Sequence, residues 1–181
     1  KRTGPHVQTI TEAGLAWARA APIVKALDDP RPLREARANA VKVFRKFFPD
    51  QSMGDPLTVA QAIMAPLGGW NDPRLYLEIY NEVYPRGDEL RHYLGWLARV
   101  AAVLQGAGYK AAIIGWGTGA WEPEDWLIAR SMGWAGAYAI SLHAYWGLPP
   151  NDANPGAVLT KYNALRYRNN WRAGDPQILI T

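Results

Sequence analysis

Apolar and polar positions along this chain follow two rhythms that take turns. Short apolar runs bounded by turn residues predict strands at 5–10, 22–27, 40–44, 75–81, 110–116, 136–142 and 177–181. Between them, apolar residues at three- and four-residue spacing predict helices at 11–20, 33–38, 55–65, 88–106, 122–132 and 155–171. Thr11 and Asp55 stand where N-caps are expected, and Pro56 occupies the first helical position after Asp55. Along the longest helix, Leu90, Tyr93, Leu94, Leu97, Val100, Ala101 and Leu104 mark one buried stripe, and Gly106 and Gly108 end it.

Strand and helix therefore alternate six times, followed by one more strand. Such alternation predicts an α/β fold of parallel strands joined by right-handed crossovers. An open doubly wound sheet and a closed barrel both satisfy it. A complete eight-fold barrel typically takes about 250 residues. The 181 residues here read as a partial TIM (β/α) barrel of about six βα units plus a seventh strand, in one domain spanning 1–181.

Composition narrows the function classes. With 49% hydrophobic and 20% charged residues, the chain suits one soluble domain with a sizeable core. No apolar run approaches the roughly 20 residues of a membrane span, so no membrane partner is expected. No secretory signal pattern is present, the chain begins at Lys1, and the compartment stays open. The absence of cysteine excludes disulfides, thiolate metal sites and a cysteine nucleophile. The net charge of +4 is mild. Arg166, Arg168 and Arg172, beside Tyr167 and Trp171, read as a solvated helix face rather than a nucleic-acid surface. Nine Trp and nine Tyr favour a ligand whose flat C–H faces stack on rings, such as a carbohydrate.

The candidate chemistry gathers at the predicted strand ends. The run Leu75-Tyr76-Leu77-Glu78-Ile79-Tyr80-Asn81-Glu82 is a buried strand pattern that closes on an amide and a carboxylate. Carboxyl ends of parallel strands are where chemistry is sited in α/β folds, so Glu82 is the candidate catalytic acid or base. Asn81, beside it, is a candidate substrate-binding amide. By simple alternation Glu78 shares a strand face with Glu82, and it is expected to be a structural carboxylate with an Arg or Lys partner. Candidate substrate-binding residues at other strand ends are His6, Arg45, Trp116, His143, Tyr145 and Trp146. His92 reads as surface. The three His show no His-Glu-x-x-His spacing, so no metal is expected. No Gly-x-Ser-x-Gly elbow is present. Gly115-Trp116-Gly117-Thr118-Gly119-Ala120 fits a dinucleotide-type Gly-x-Gly-x-x-Ala. However, it lies on the fifth unit, no acidic residue for a ribose follows the next strand, and no cofactor is expected.

The order of elements and these strand ends resemble the retaining glycoside hydrolases of clan A, which are (β/α)8 barrels. The matching residues are Asn81-Glu82 after the fourth strand and Ser141-Leu142-His143-Ala144-Tyr145-Trp146 around the end of the sixth. The resemblance implies that Glu82 acts as general acid/base on a β-linked carbohydrate held by Asn81, His143, Tyr145 and rim aromatics. It also implies a second carboxylate as nucleophile after the seventh strand. The chain stops at Gln177-Ile178-Leu179-Ile180-Thr181, which would leave it inactive alone. The alternative reading is a non-catalytic barrel fragment that forms homo-oligomers through exposed strand edges.

Overall fold

The computed structural model describes residues 6–7, 10–81, 83–116, 123–142 and 175–180. Their elements run β1 (His6–Val7), α1 (Glu12–Ala20), β2 (Ile23–Leu27), α2 (Arg31–Glu35), β3 (Val41–Arg45), α3 (Pro56–Met64), β4 (Leu75–Glu78), α4 (Gly87–Gly106), β5 (Lys110–Trp116), α5 (Pro123–Ser131), β6 (Ala139–Leu142) and β7 (Gln177–Ile180). The expected helix at 155–171 lies outside the described residues.

Local chemistry accounts for the helix starts. Thr11 Oγ1 accepts from the Gly14 N–H at 3.1 Å, and Asp55 Oδ2 accepts from the Thr58 N–H at 2.8 Å. Each bond satisfies one of the backbone donors that a helix N-terminus leaves over. In α4 the expected stripe is buried, and Trp96 joins it.

All seven strands are parallel and stand in the order β1-β2-β3-β4-β5-β6-β7. Parallel crossovers share one hand, so an unbroken sequential order puts every helix on the same face of the sheet. A doubly wound sheet would reverse its order partway. The chain is thus a partial (β/α) barrel.

The two faces of the strands have separate cores. Toward the helices, Val24, Ala26, Phe44, Leu75, Leu77, Ala111 and Ile113 pack with the apolar stripes of α3 and α4. On the inner face, Ile23, Val41, Val43, Tyr76, Ala112, Ala139 and Leu179 form a second cluster. Register explains this cluster, since Val43 pairs with Tyr76, and Ala112 with Ala139. Partners across a parallel ladder point to the same side, and successive residues alternate. The inner face is therefore apolar at its lower level. Closer to the C-terminal strand ends it carries Lys25, Arg45, Glu78 and Ser141, all buried.

Candidate functional site at the C-terminal strand ends

Glu78, the last residue of β4, is fully buried. Its Oε1 accepts from Lys25 Nζ of β2 at 2.8 Å and lies 3.5 Å from Arg45 Nη1 of β3. Its Oε2 accepts from the Ser141 hydroxyl of β6. One carboxylate thus ties together three other strands just below the rim. The expectation of a structural carboxylate with basic partners holds for Glu78. Isolating such a charge from water would be prohibitive, and its hydrogen-bonded cations are what make the burial tolerable.

The strand pattern breaks directly after Glu78. Alternation would turn Ile79 outward and Tyr80 inward, but both side chains join the core facing the helices. Tyr80 takes a left-handed conformation, φ 56°, which is uncommon for a bulky residue. Its ring packs 4.9 Å from Trp96 and 5.1 Å from Phe48, and its hydroxyl donates to Ser52 O at 2.8 Å. These contacts hold the strained residue in place. The break returns Asn81 to the side of Arg45, whose Nη1 donates to Asn81 Oδ1. β4 therefore ends at Glu78, three residues earlier than expected, and the alternation that would place Glu82 on the face of Glu78 does not carry across the break.

The segment between β3 and α3 supports this arrangement. Gln51 Oε1 accepts from the Asn81 N–H, and Trp96 Nε1 donates to Gly54 O at 2.7 Å. With its carbonyl oxygen on Arg45, half-buried Asn81 has its amide nitrogen left over, and no described residue accepts from it. Gln51, which holds the Asn81 backbone N–H, also lines a cavity of about 500 Å³ together with Met53, Val83, Asp88, Glu89, His92 and Tyr93. His92 is exposed, as expected. Burial raises the Tyr93 hydroxyl's pKa far above the ordinary range, and Tyr80 adds to the effect, so this hydroxyl stays protonated.

Of the expected site residues, the structure brings Arg45 and Asn81 together. Glu82, His143, Tyr145 and Trp146 lie outside the described residues, and so does 117–120 of the glycine-rich segment. For His6 and Trp116 the backbone alone is described. His6 pairs in register with Lys25, and Trp116 pairs with Leu142 after a register shift. Sequence reading missed Lys25 and Ser141. A signal for Lys25 was present, because a lysine interrupts the otherwise apolar Ile23-Val24-Lys25-Ala26-Leu27. Among the described residues, no helix is long and apolar enough to cross a membrane.

Comparison with known proteins returns little. No family model matches the chain, and no curated protein matches it. Among solved structures, an alanine racemase from Streptomyces coelicolor A3(2) matches with a TM-score of 0.49 and 16% identity, over 97% of this chain and 47% of that one. This chain therefore spans about half the length of that structure's chain, and a likeness of this degree carries no inference about activity. The glycoside hydrolase resemblance is corrected by these findings. The matching structure is an alanine racemase, and none of the comparisons returns a clan A enzyme. The physical reason lies in β4. The resemblance rested on a strand that closes on Asn81-Glu82, whereas the strand stops at Glu78 and a left-handed Tyr80 intervenes. Carbohydrate as the ligand, and the reading of the chain as a glycoside hydrolase fragment, fall with it.

Proposed function

We propose that the C-terminal strand ends form an enzyme-type binding site for a small polar molecule. In this reading Asn81 donates its amide N–H to the ligand, Arg45 lies beside it, and Glu82, next in sequence, exchanges the proton. The observation that carries the reading is the network from Lys25 through Glu78 and Arg45 to Asn81, which sets one amide orientation. A barrel interior filled for stability alone is dominated by apolar branched side chains. Here the layer beneath the rim is charged and the rim amide is pre-oriented, as a site needs if it is to bind without reorganising. His6, Trp116, His143, Tyr145 and Trp146 belong to other strand ends or the segments after them, and we propose them as further ligand contacts.

The test is a thermal-shift screen against small polar compounds that are neutral, cationic and anionic, followed by titration of the hits against Asn81→Ala and Glu82→Gln. The reading expects at least one saturable ligand, with affinity falling about five- to tenfold in Asn81→Ala, the worth of one hydrogen bond. Turnover of that ligand should be lost in Glu82→Gln. A screen without any stabilising compound, or hits that bind Asn81→Ala as tightly as the parent, would refute it.

A further inference from the structure

The cavity bordered by Gln51 lies between the segment before α3 and the first turns of α4, and its wall is largely apolar, with Met53, Val83, Pro85 and Tyr93 in it. The charged residues among those described as lining it are Asp88 and Glu89, both acidic, and no Lys or Arg joins them. Carboxylates in a first helical turn complement the helix dipole, so by themselves they name no ligand. Asp88 is moreover exposed and 3.9 Å from Arg91. Glu89 is exposed and has no hydrogen bond or ion pair among the described residues.

Tyr93 distinguishes this cavity from a mere surface hollow. The residue keeps 4% of its surface exposed, and its ring stacks on Trp96 at 5.8 Å, which fixes where the hydroxyl stands. No hydrogen bond to or from that hydroxyl occurs among the described residues, yet it is not one of the unpartnered side-chain atoms that are sealed from solvent. The surface it keeps therefore belongs to the cavity that Tyr93 lines. A buried hydroxyl without a partner costs free energy that a bond to a ligand would recover. Because it stays protonated, it meets a ligand as a neutral group able to accept a hydrogen bond. Glu89 and Tyr93 are four residues apart on α4, so they share one helix face a single turn apart. A carboxylate at the mouth and a neutral hydroxyl within thus line the same wall.

We infer that this cavity binds a primary amine with a small apolar body, its ammonium between the Glu89 carboxylate and the Tyr93 hydroxyl and its body against Met53, Val83 and Pro85. An ammonium brings only donors, which suits two acceptors on one helix face. The bond to Glu89 is charge-assisted and is the stronger of the two. An anionic ligand would face Asp88 and Glu89 with no cation in the described wall, and a neutral one would forgo the charge. The volume of about 500 Å³ suits a small organic molecule. Gln51 borders both this cavity and Asn81, but the inference does not depend on the site proposed at the strand ends.

The test is calorimetric titration of the whole chain with phenethylamine at constant ionic strength. Phenethyl alcohol serves as the neutral isostere, hydrocinnamate as the anionic one, and ammonium chloride as the charge without the apolar body. Saturable binding of phenethylamine is expected, about fivefold or more tighter than either isostere, with no saturation by ammonium chloride. Glu89→Gln and Tyr93→Phe should each weaken it about fivefold, the worth of one hydrogen bond. Without ligand, Tyr93→Phe should keep the Tm of the parent, because no protein group loses a bond, and this separates lost binding from a folding defect. Asn81→Ala keeps the backbone N–H that Gln51 holds and should bind the amine like the parent. No saturable amine binding, equal affinity for the alcohol, parent-like affinity in either cavity variant, or a marked Tm loss in Tyr93→Phe would overturn the inference. Loss of amine binding in Asn81→Ala would place the amine at the strand ends instead, overturning the inference while leaving the proposed site standing.

Discussion

Replacing Glu78 by Gln keeps the shape of the side chain and removes the charge that two buried cations share. The Lys25–Glu78 pair is 2.8 Å apart, with side-chain exposures of 1% and 0%. At an effective dielectric of about 20, that separation corresponds to a gross attraction of about 6 kcal/mol. Desolvation offsets part of it, and removing one partner of such a pair typically costs about 3–5 kcal/mol. For a chain of this size each kcal/mol moves Tm by about 2–4 °C, so Glu78→Gln should lower Tm by about 10 °C. Urea unfolding followed by tryptophan fluorescence measures the loss directly, and the chain has nine Trp. The double variant Lys25→Met/Glu78→Gln removes one of the two cations together with the charge it pairs with. It should therefore be more stable than the sum of the single losses by about 1 kcal/mol or more. A Glu78→Gln loss below about 1 kcal/mol, or strict additivity in the double variant, would refute the claim that this carboxylate organises the interior.

Three further expectations follow from other contacts. Burial pushes the Asp72 carboxyl's pKa up, but the hydrogen bond from Lys42 and the Arg74 N–H outweigh it, so the net shift is downward. A lowered folded-state pKa contributes stability that is complete above the unfolded value near ~4 and fades as pH falls through the folded value. Lys42→Met should flatten the acid limb of stability below about pH 4, and an unchanged limb in acid titration would count against the pair. Trp96→Phe removes the bond to Gly54 O and should cost about 1–3 kcal/mol in urea unfolding. It should also weaken any ligand response, because the same segment holds Gln51 on Asn81, and a variant that unfolds and binds like the parent would contradict this role. Among the described residues β1 and β7 each pair on one side only, and we propose self-association through these edges. Light scattering should then give a mass above 20.1 kDa, whereas a monomer at micromolar concentration would refute it.

Much of the scaffold was legible because it rests on local rules. The caps at Thr11 and Asp55, the buried stripe of α4 and the succession of strands and helices follow from spacing and side-chain chemistry. Alternation alone did not fix the strand order, since it admits both a doubly wound sheet and a barrel; the barrel reading came from the chain's length and the run of seven strands, and the sequential order agrees with it. The break at Ile79-Tyr80 was hidden for a different reason. The period-two pattern continues through it in sequence, and what overrides the pattern is tertiary, with Tyr80 anchored by Trp96, Phe48 and Ser52. An Asn-Glu pair is short enough to suggest a strand end by coincidence, and this is how the glycoside hydrolase resemblance arose. Glu78 was legible because a carboxylate within so apolar a run demands a buried cation. Its partner Lys25 lies 53 positions away, a separation that no local pattern encodes.

The most direct measurement is the Asn81 side-chain amide resonance, assigned by its loss in Asn81→Ala and followed through a titration with a hit from the screen of small polar compounds. The account predicts a saturable shift of this signal, with the Kd that calorimetry gives for the same compound. An Asn81 amide signal that stays still while the ligand saturates would contradict the account, because the pre-oriented amide would then not be where the ligand sits.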